Sequence, residues 1–174
     1  MRGDELLTIT NEVWWRVHAT TGPQVLAWNG LRHLGPLATA RFDPHVPPPH
    51  LQEFGAIYCA ESAIAALAET FQERRVIDTM SRVPYLTALA LRAPLQVLDL
   101  AGPWPTRVGA SQAINSGPRP FAQAWARAIH AAFPALAGVL YPSSMLGGAL
   151  CIALWEGASP ALPSSARLSL VRQS

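Results

Sequence analysis

Lysine is missing from this 174-residue chain; all 13 basic residues are arginine, set against 11 acidic ones. Together with plentiful alanine and proline, that usage reads as codon bias rather than as a functional signature. Charge of either sign is scarce. Only 14% of the residues are charged, where a typical globular domain has about 25%. With half of the chain hydrophobic, so thin a charged surface implies apolar area covered by a partner, either another protein or further copies of the chain in a homo-oligomer. The formal net charge of +2 is too small for a nucleic-acid binder. Arg74-Arg75 is the sole adjacent arginine pair, so the basic residues form no stripe.

Other absences narrow the field. No uninterrupted apolar run reaches about 18 residues, so no transmembrane helix is expected. The first residues, Met1 to Thr8, are acidic and lack the apolar core of a signal peptide, which points to a cytoplasmic protein. Cys59 and Cys151 both sit in apolar, strand-like runs; buried free thiols fit that setting better than a disulfide. His33, His45 and His50 stand at no metal-ligand spacing with either cysteine, so no metal site is expected. Gly147-Gly148 stands alone before a strand, unlike a phosphate-cradling glycine loop. No serine lies in a Gly-x-Ser-x-Gly elbow, and no carboxylates are spaced as a glycosidase pair.

What is present reads as one domain over residues 1–174 with its core at about 13–156. Residues 1–12 read as a polar lead-in. Val13 to His18 is β-branched and aromatic, hence a strand, with Arg16 inside it. An arginine there must pair with a carboxylate or face a solvent-filled site. Gln24 to Trp28 fits a short helix after the Gly22-Pro23 break. Residues 29–50 read as irregular, and so long a stretch in a compact domain is often functional. It carries Arg32, His33 and Arg41, which either lie on a solvated loop or point at an anion.

The central stretch, Gly55 to Arg75, starts as a short strand (Ala56 to Ala60) bearing Tyr58. It turns at Ser62, a good N-cap, into a helix bearing Glu69. At about 100° per residue, Ile64, Leu67, Ala68 and Phe71 share the apolar face, with Glu69 well off it. Strands follow at Tyr85 to Arg92 and Leu95 to Leu100, and Thr106 to Ile114 fits a short helix. A longer helix spans Arg119 to Ala132, with Pro120 in its first turn and a stripe of Phe121, Trp125, Ala128, Ile129 and Ala132. Ala137 to Tyr141 and Ala149 to Trp155 are strands joined by a turn holding Ser143 and Ser144. Arg167 to Arg172 fits an edge strand.

The ordered set Arg16, Arg41, Tyr58, Ala68-Glu69-Thr70 and Tyr141-Pro142-Ser143 resembles the RES domain, named for its Arg, Glu and Ser. The resemblance implies an α+β fold like that of ADP-ribosyltransferases, with mixed β-sheets around an NAD-binding cleft and flanking helices. It also implies a toxin of a toxin–antitoxin pair that degrades NAD+ by phosphorolysis or hydrolysis. Its partner would be a small helical antitoxin covering the cleft, and NAD+ would be substrate rather than cofactor, with inorganic phosphate as a co-substrate of phosphorolysis. Carried over by residue, Arg16 and Arg41 contact the phosphates, Tyr58 stacks, Glu69 stabilises the ribose cation, and Ser143 (or the adjacent Ser144) assists at the ribose. Where the family often has glycine and asparagine around the second arginine, this chain has Ala40 and Asp43, which sets a negative charge beside the expected phosphate site. Trp15 stands where a tyrosine often precedes the first arginine.

The chemistry of that set is coherent. Breaking the nicotinamide–ribose bond leaves positive charge on the anomeric carbon, which a nearby carboxylate stabilises. An aromatic face stacks on the base or the cation, and guanidiniums hold a diphosphate in bidentate fashion. Outside the resemblance, each residue has an ordinary reading: Glu69 a solvated helix glutamate, Ser143 a turn serine, Arg16 a salt-bridge partner. Two further functions share the residues. One is ADP-ribosyl transfer to a macromolecule; the other is a catalytically silent binding protein.

Overall fold

The computed structural model describes residues 2–170. Its strands are β1 (Leu6–Ile9), β2 (Val13–Ala19), β3 (Arg32–Gly35), β4 (His50–Ala60), β5 (Pro84–Ala90), β6 (Leu95–Asp99), β7 (Gly138–Pro142), β8 (Leu150–Trp155) and β9 (Leu168–Leu170). Its α-helices are α1 (Ala63–Thr70), α2 (Trp104–Arg107), α3 (Ala113–Ser116) and α4 (Arg119–Ala132). The strands run β1-β6-β7-β8-β4-β2-β5-β9, with β3 beside β4. The α+β fold class expected from the sequence is the one that forms.

Every pairing is antiparallel except β6 with β7. A parallel pair needs a crossover, and α2, α3 and α4 supply it. The sheet buries both faces. Ala56, Ala60, Val139, Cys151, Ala153 and Trp155 pack on one side with Ala65 and Ala66 of α1 and Ala122, Ala126 and Ile129 of α4. The alternate residues Ile57, Cys59, Leu140, Ile152 and Leu154 pack on the other with Trp14 and Leu89. Alternation along β4 and β8 is the period-2 rule at work on a sheet covered twice.

Several sequence expectations are corrected. The lead-in contains β1, whose Leu6 to Ile9 pair with Leu98 to Leu95. Gln24 to Trp28 forms turns and irregular chain, not a helix, and the irregular stretch contains β3. The central strand begins at His50 rather than Ala56. Two short helices replace the one expected over 106–114. Of the C-terminal edge strand, Leu168–Leu170 pairs with β5; residues 171 and 172 lie outside the described residues.

The two main helices also turn differently from their apolar periodicity. Ser62 caps α1 as expected, accepting from the Ala65 amide at 3.2 Å. Yet the helix buries Ala65 and Ala66, and Ile64 is 68% exposed. Helix α4 has the expected bounds but buries Ala122, Gln123, Ala126 and Ile129, leaving Phe121, Ala128 and Ala132 exposed. Both helices approach the sheet on their alanine sides, where small side chains allow close contact. For α1 the result is decisive, because position 69 follows 65 and 66 around the helix. Glu69 therefore lies on the inward side.

No helix among the described residues is long and apolar enough to cross a membrane. The tightest backbone approach is at Gly138, where a Cβ would lie 2.1 Å from the Ala153 carbonyl oxygen. Gly138→Ala is therefore expected to lower folding stability by about 3 kcal/mol. Urea unfolding of the two proteins measures it.

Candidate active site

The cleft begins where the sheet forks. Strands β2 and β4 share a single pair, Trp15 with Ala60. Beyond it β4 pairs with β3 instead, Arg32 opposite Ala56 and Gly35 opposite His50, while β2 stays with β5. The gap between β2 and β3 is roofed by the end of α1 and residues 71–84. It holds two connected compartments of about 1000 Å³ and 240 Å³. Arg16, Arg32, Glu69 and Gln72 line both, so they mark the neck between them.

Arg16 is 9% exposed. Its Nη1 donates to the carbonyl oxygens of Trp28 at 2.8 Å and Gly30 at 2.9 Å, with Ala27 at 3.4 Å. None of the described carboxylates pairs with it. Burial, then the nearby Arg32, lowers its pKa, but a guanidinium stays protonated. The result is a buried positive charge solvated by carbonyl dipoles and open to an anion at the neck.

Arg41 lies in the inner compartment, held by its own chain neighbours. Phe42 is fully buried against Tyr141, ring centroids 4.6 Å apart, and its carbonyl accepts from the Trp155 indole at 3.3 Å. Gln123 of α4 donates to the carbonyls of Leu37 and Ala40, both at 2.8 Å. Arg41 Nη1 donates to the Gly117 carbonyl at 2.6 Å. Burial and the charge of Arg119 lower its pKa.

Tyr58 projects from β4 into the same compartment. Its hydroxyl is buried beside the Arg32 guanidinium, and burial pushes the phenol well above its ordinary pKa. It is a neutral ring. Cys59 and Cys151 also line this space and are free. Burial pushes each thiol up to about 12, which leaves too little thiolate at neutral pH for nucleophilic catalysis.

Glu69 reaches from α1 to the turn between β7 and β8. Its Oε1 accepts from Ser143 Oγ at 2.6 Å, the Ser144 amide at 2.8 Å, and the Met145 amide and Ser144 Oγ at 3.2 Å. Its Oε2 has only Ser144 Oγ at 3.4 Å and Gln72 Nε2 at 3.5 Å. One oxygen is thus fixed and the other is the more available acceptor. Ser143 is both a turn serine and a partner of Glu69, since its Oγ also accepts from the Met145 and Leu146 amides. Ser144 contacts Glu69 as well and lines the inner compartment.

Arg16, Arg41, Tyr58 and Glu69 thus share one space, with Ser143 bonded to Glu69. Asp43 is different. It does not face the compartments but is fully buried, paired with Arg32 at 2.8 Å and hydrogen-bonded to His45 and the Leu37 amide. The negative charge expected beside the phosphate site is spent on that network. Arg32, which sequence reasoning left between a solvated loop and an anion contact, is the residue this fixes at the neck. Arg119 and Gln72 are cleft residues that no motif flagged. No group of three or more His, Cys, Asp or Glu among the described residues is arranged to hold a metal.

A family model described as the RES domain matches residues 13–172. The chain belongs to the RES domain family. Its fold is similar to a chain of the M. tuberculosis MbcT–MbcA toxin–antitoxin complex, with a TM-score of 0.62 and 25% sequence identity. The match covers 94% of this chain and 85% of that one. No curated protein matches the sequence.

In this RES domain the Asp43 network holds Arg32 and the 37–45 loop. Burial raises the Asp43 pKa, but the His45 hydrogen bond, the Arg32 charge and the Leu37 amide outweigh it, and the net shift is downward. A carboxyl depressed in the folded state contributes stability that is complete above its unfolded pKa and lost as pH falls through the folded value. Asp43→Asn should cost about 3 kcal/mol at neutral pH by leaving Arg32 without its counter-charge. The gap between wild type and variant should shrink as pH falls below about 4, which chemical denaturation across pH would measure.

Proposed function

We propose that this RES domain is the toxin of a toxin–antitoxin pair and acts in the cytoplasm by degrading NAD+. The bond broken is the one between nicotinamide and ribose, with phosphate or water as acceptor. The observation that carries the reading is the convergence of a carboxylate, a neutral aromatic ring and two guanidiniums, one buried and one half-buried, in one compartment: Glu69, Tyr58, Arg16 and Arg41.

The steps follow from those groups. Arg16 and Arg32 at the neck, with Arg41 beyond, bind the diphosphate and so fix the attached ribose. Tyr58 offers its ring face to the nicotinamide. The C1′–N bond breaks with its electron pair going to the pyridinium nitrogen, so nicotinamide leaves neutral. Positive charge appears at the anomeric carbon and ring oxygen. Glu69, whose Oε2 is the less committed oxygen, stabilises it. Ser143 and Ser144 keep the carboxylate aimed. A phosphate oxygen, or water that loses its proton to solvent, then bonds to the carbon, giving ADP-ribose 1″-phosphate or ADP-ribose.

A covering partner fits the surface. Ile64 (68% exposed), Val76 (65%) and Ile77 (56%) are bare apolar side chains on α1 and the segment that roofs the cleft. The likeness to a chain of a toxin–antitoxin complex supports an antitoxin as their cover, and the family resemblance implies a small helical one.

Incubation with NAD+, with and without phosphate, tests the reading, with products separated by chromatography. Release of free nicotinamide is expected, and the second product identifies the acceptor. ADP-ribose found on protein or nucleic acid would replace the reading with macromolecular transfer, and intact NAD+ would refute it. Glu69→Ala should slow turnover by about two to four powers of ten. Arg41→Ala should act mainly on KM, raising it about 10- to 100-fold through loss of a charge-assisted contact. Induced in a bacterial host, the wild type but not Glu69→Ala should deplete NAD+ and arrest growth.

A further inference from the structure

The inner compartment cannot contain a whole dinucleotide. At about 240 Å³ it falls short of the roughly 300–1,000 Å³ typical of small-molecule sites, whereas the outer one offers about 1000 Å³. The groups suited to the reacting bond are Tyr58 and Ser144, which line the inner space alone, and Glu69 at the neck. The outer space has different walls: Leu26, Leu34 and Leu51 and three rings, His18, His33 and Phe71, beside a charged rim that includes Glu73, Arg74, Asp78 and Arg82. Leucine side chains and rings grouped in this way suit a heterocyclic base.

His18 is the notable group. It lies on β2 two residues beyond Arg16, hence on the same side of the strand. Its ring tilts against Tyr85 at a centroid distance of 6.0 Å, and its Nδ1 is buried with no hydrogen-bond partner. Burial, then the charge of Arg16, lowers its pKa, so the ring is uncharged at neutral pH. A neutral ring placed just past a phosphate-binding arginine is a stacking surface for the next unit of the ligand.

We infer that the outer compartment seats the adenosine half of the dinucleotide, with its base on the His18 ring, and that His18 determines preference for a dinucleotide over a mononucleotide. The inference rests on the proposed NAD+ cleavage. Its test compares kcat/KM for nicotinamide release from NAD+ and from nicotinamide mononucleotide, which lacks the adenosine half. Calorimetric titration with AMP runs alongside. His18→Ala should lower the NAD+-to-mononucleotide ratio about tenfold, mainly through KM for NAD+, and weaken AMP binding about as much. His18→Phe, which restores a ring, should recover most of the ratio. An unchanged ratio, or equal losses on both substrates, overturns the assignment while leaving NAD+ cleavage intact. If wild type releases nicotinamide from neither compound, the proposed reaction fails. The AMP titration then decides the site: binding weakened by His18→Ala keeps a nucleotide seat there, and no binding removes it.

Discussion

The single Trp15–Ala60 pair is the constraint on which the site depends. One more pair between β2 and β4 would zip the sheet shut; none at all would let the two halves part. Because β4 exchanges β2 for β3 after that contact, its own backbone groups are paired on the far side of the gap. Arg16 of β2 donates to three carbonyls of the segment that leads into β3. A sheet edge exposed inside a protein is normally a liability. Here β3 covers the edge of β4, and the space left between β2 and β3 is the cleft.

Around that fork the polar groups are arranged for fixity. Three separate anchors converge on the 37–45 loop: the Gln123 amide, the buried Phe42 ring, and the Asp43 carboxylate with His45 and Arg32. The loop has little regular structure, yet it is tied to α4, β7 and β3. Glu69 similarly joins α1 to the β7–β8 turn through the amides of Ser144 and Met145 and the hydroxyl of Ser143. Groups so held need little reorganisation as charge develops, which is the usual origin of electrostatic catalysis.

The order of elements and the cleft residues were legible in the sequence where local chemistry spoke clearly. Pro120 in the first turn fixed the start of α4, and the β-branched and aromatic run fixed β2. Strands β1 and β3 were hidden because each is four residues long and owes its existence to a distant partner, β6 for one and β4 for the other. Apolar periodicity chose the wrong side of α1. It counted Ile64 and Leu67 as core, but close packing selected the small faces of Ala65 and Ala66. The same misreading put Glu69 outward, and only its likeness to a family motif drew attention to it. Asp43 was read by its charge alone; its burial against Arg32 and His45 is a tertiary fact that no spacing reveals.

The missing lysines acquire a meaning once the cleft is known. Every cation at its walls apart from histidine is a guanidinium, which neither loses its proton in the physiological range nor presents an ε-amine for acylation. The positive charge of these groups is therefore permanent. Acidity of the surroundings and acetyl donors leave the guanidiniums charged, and an anion seated among them is what offsets that charge.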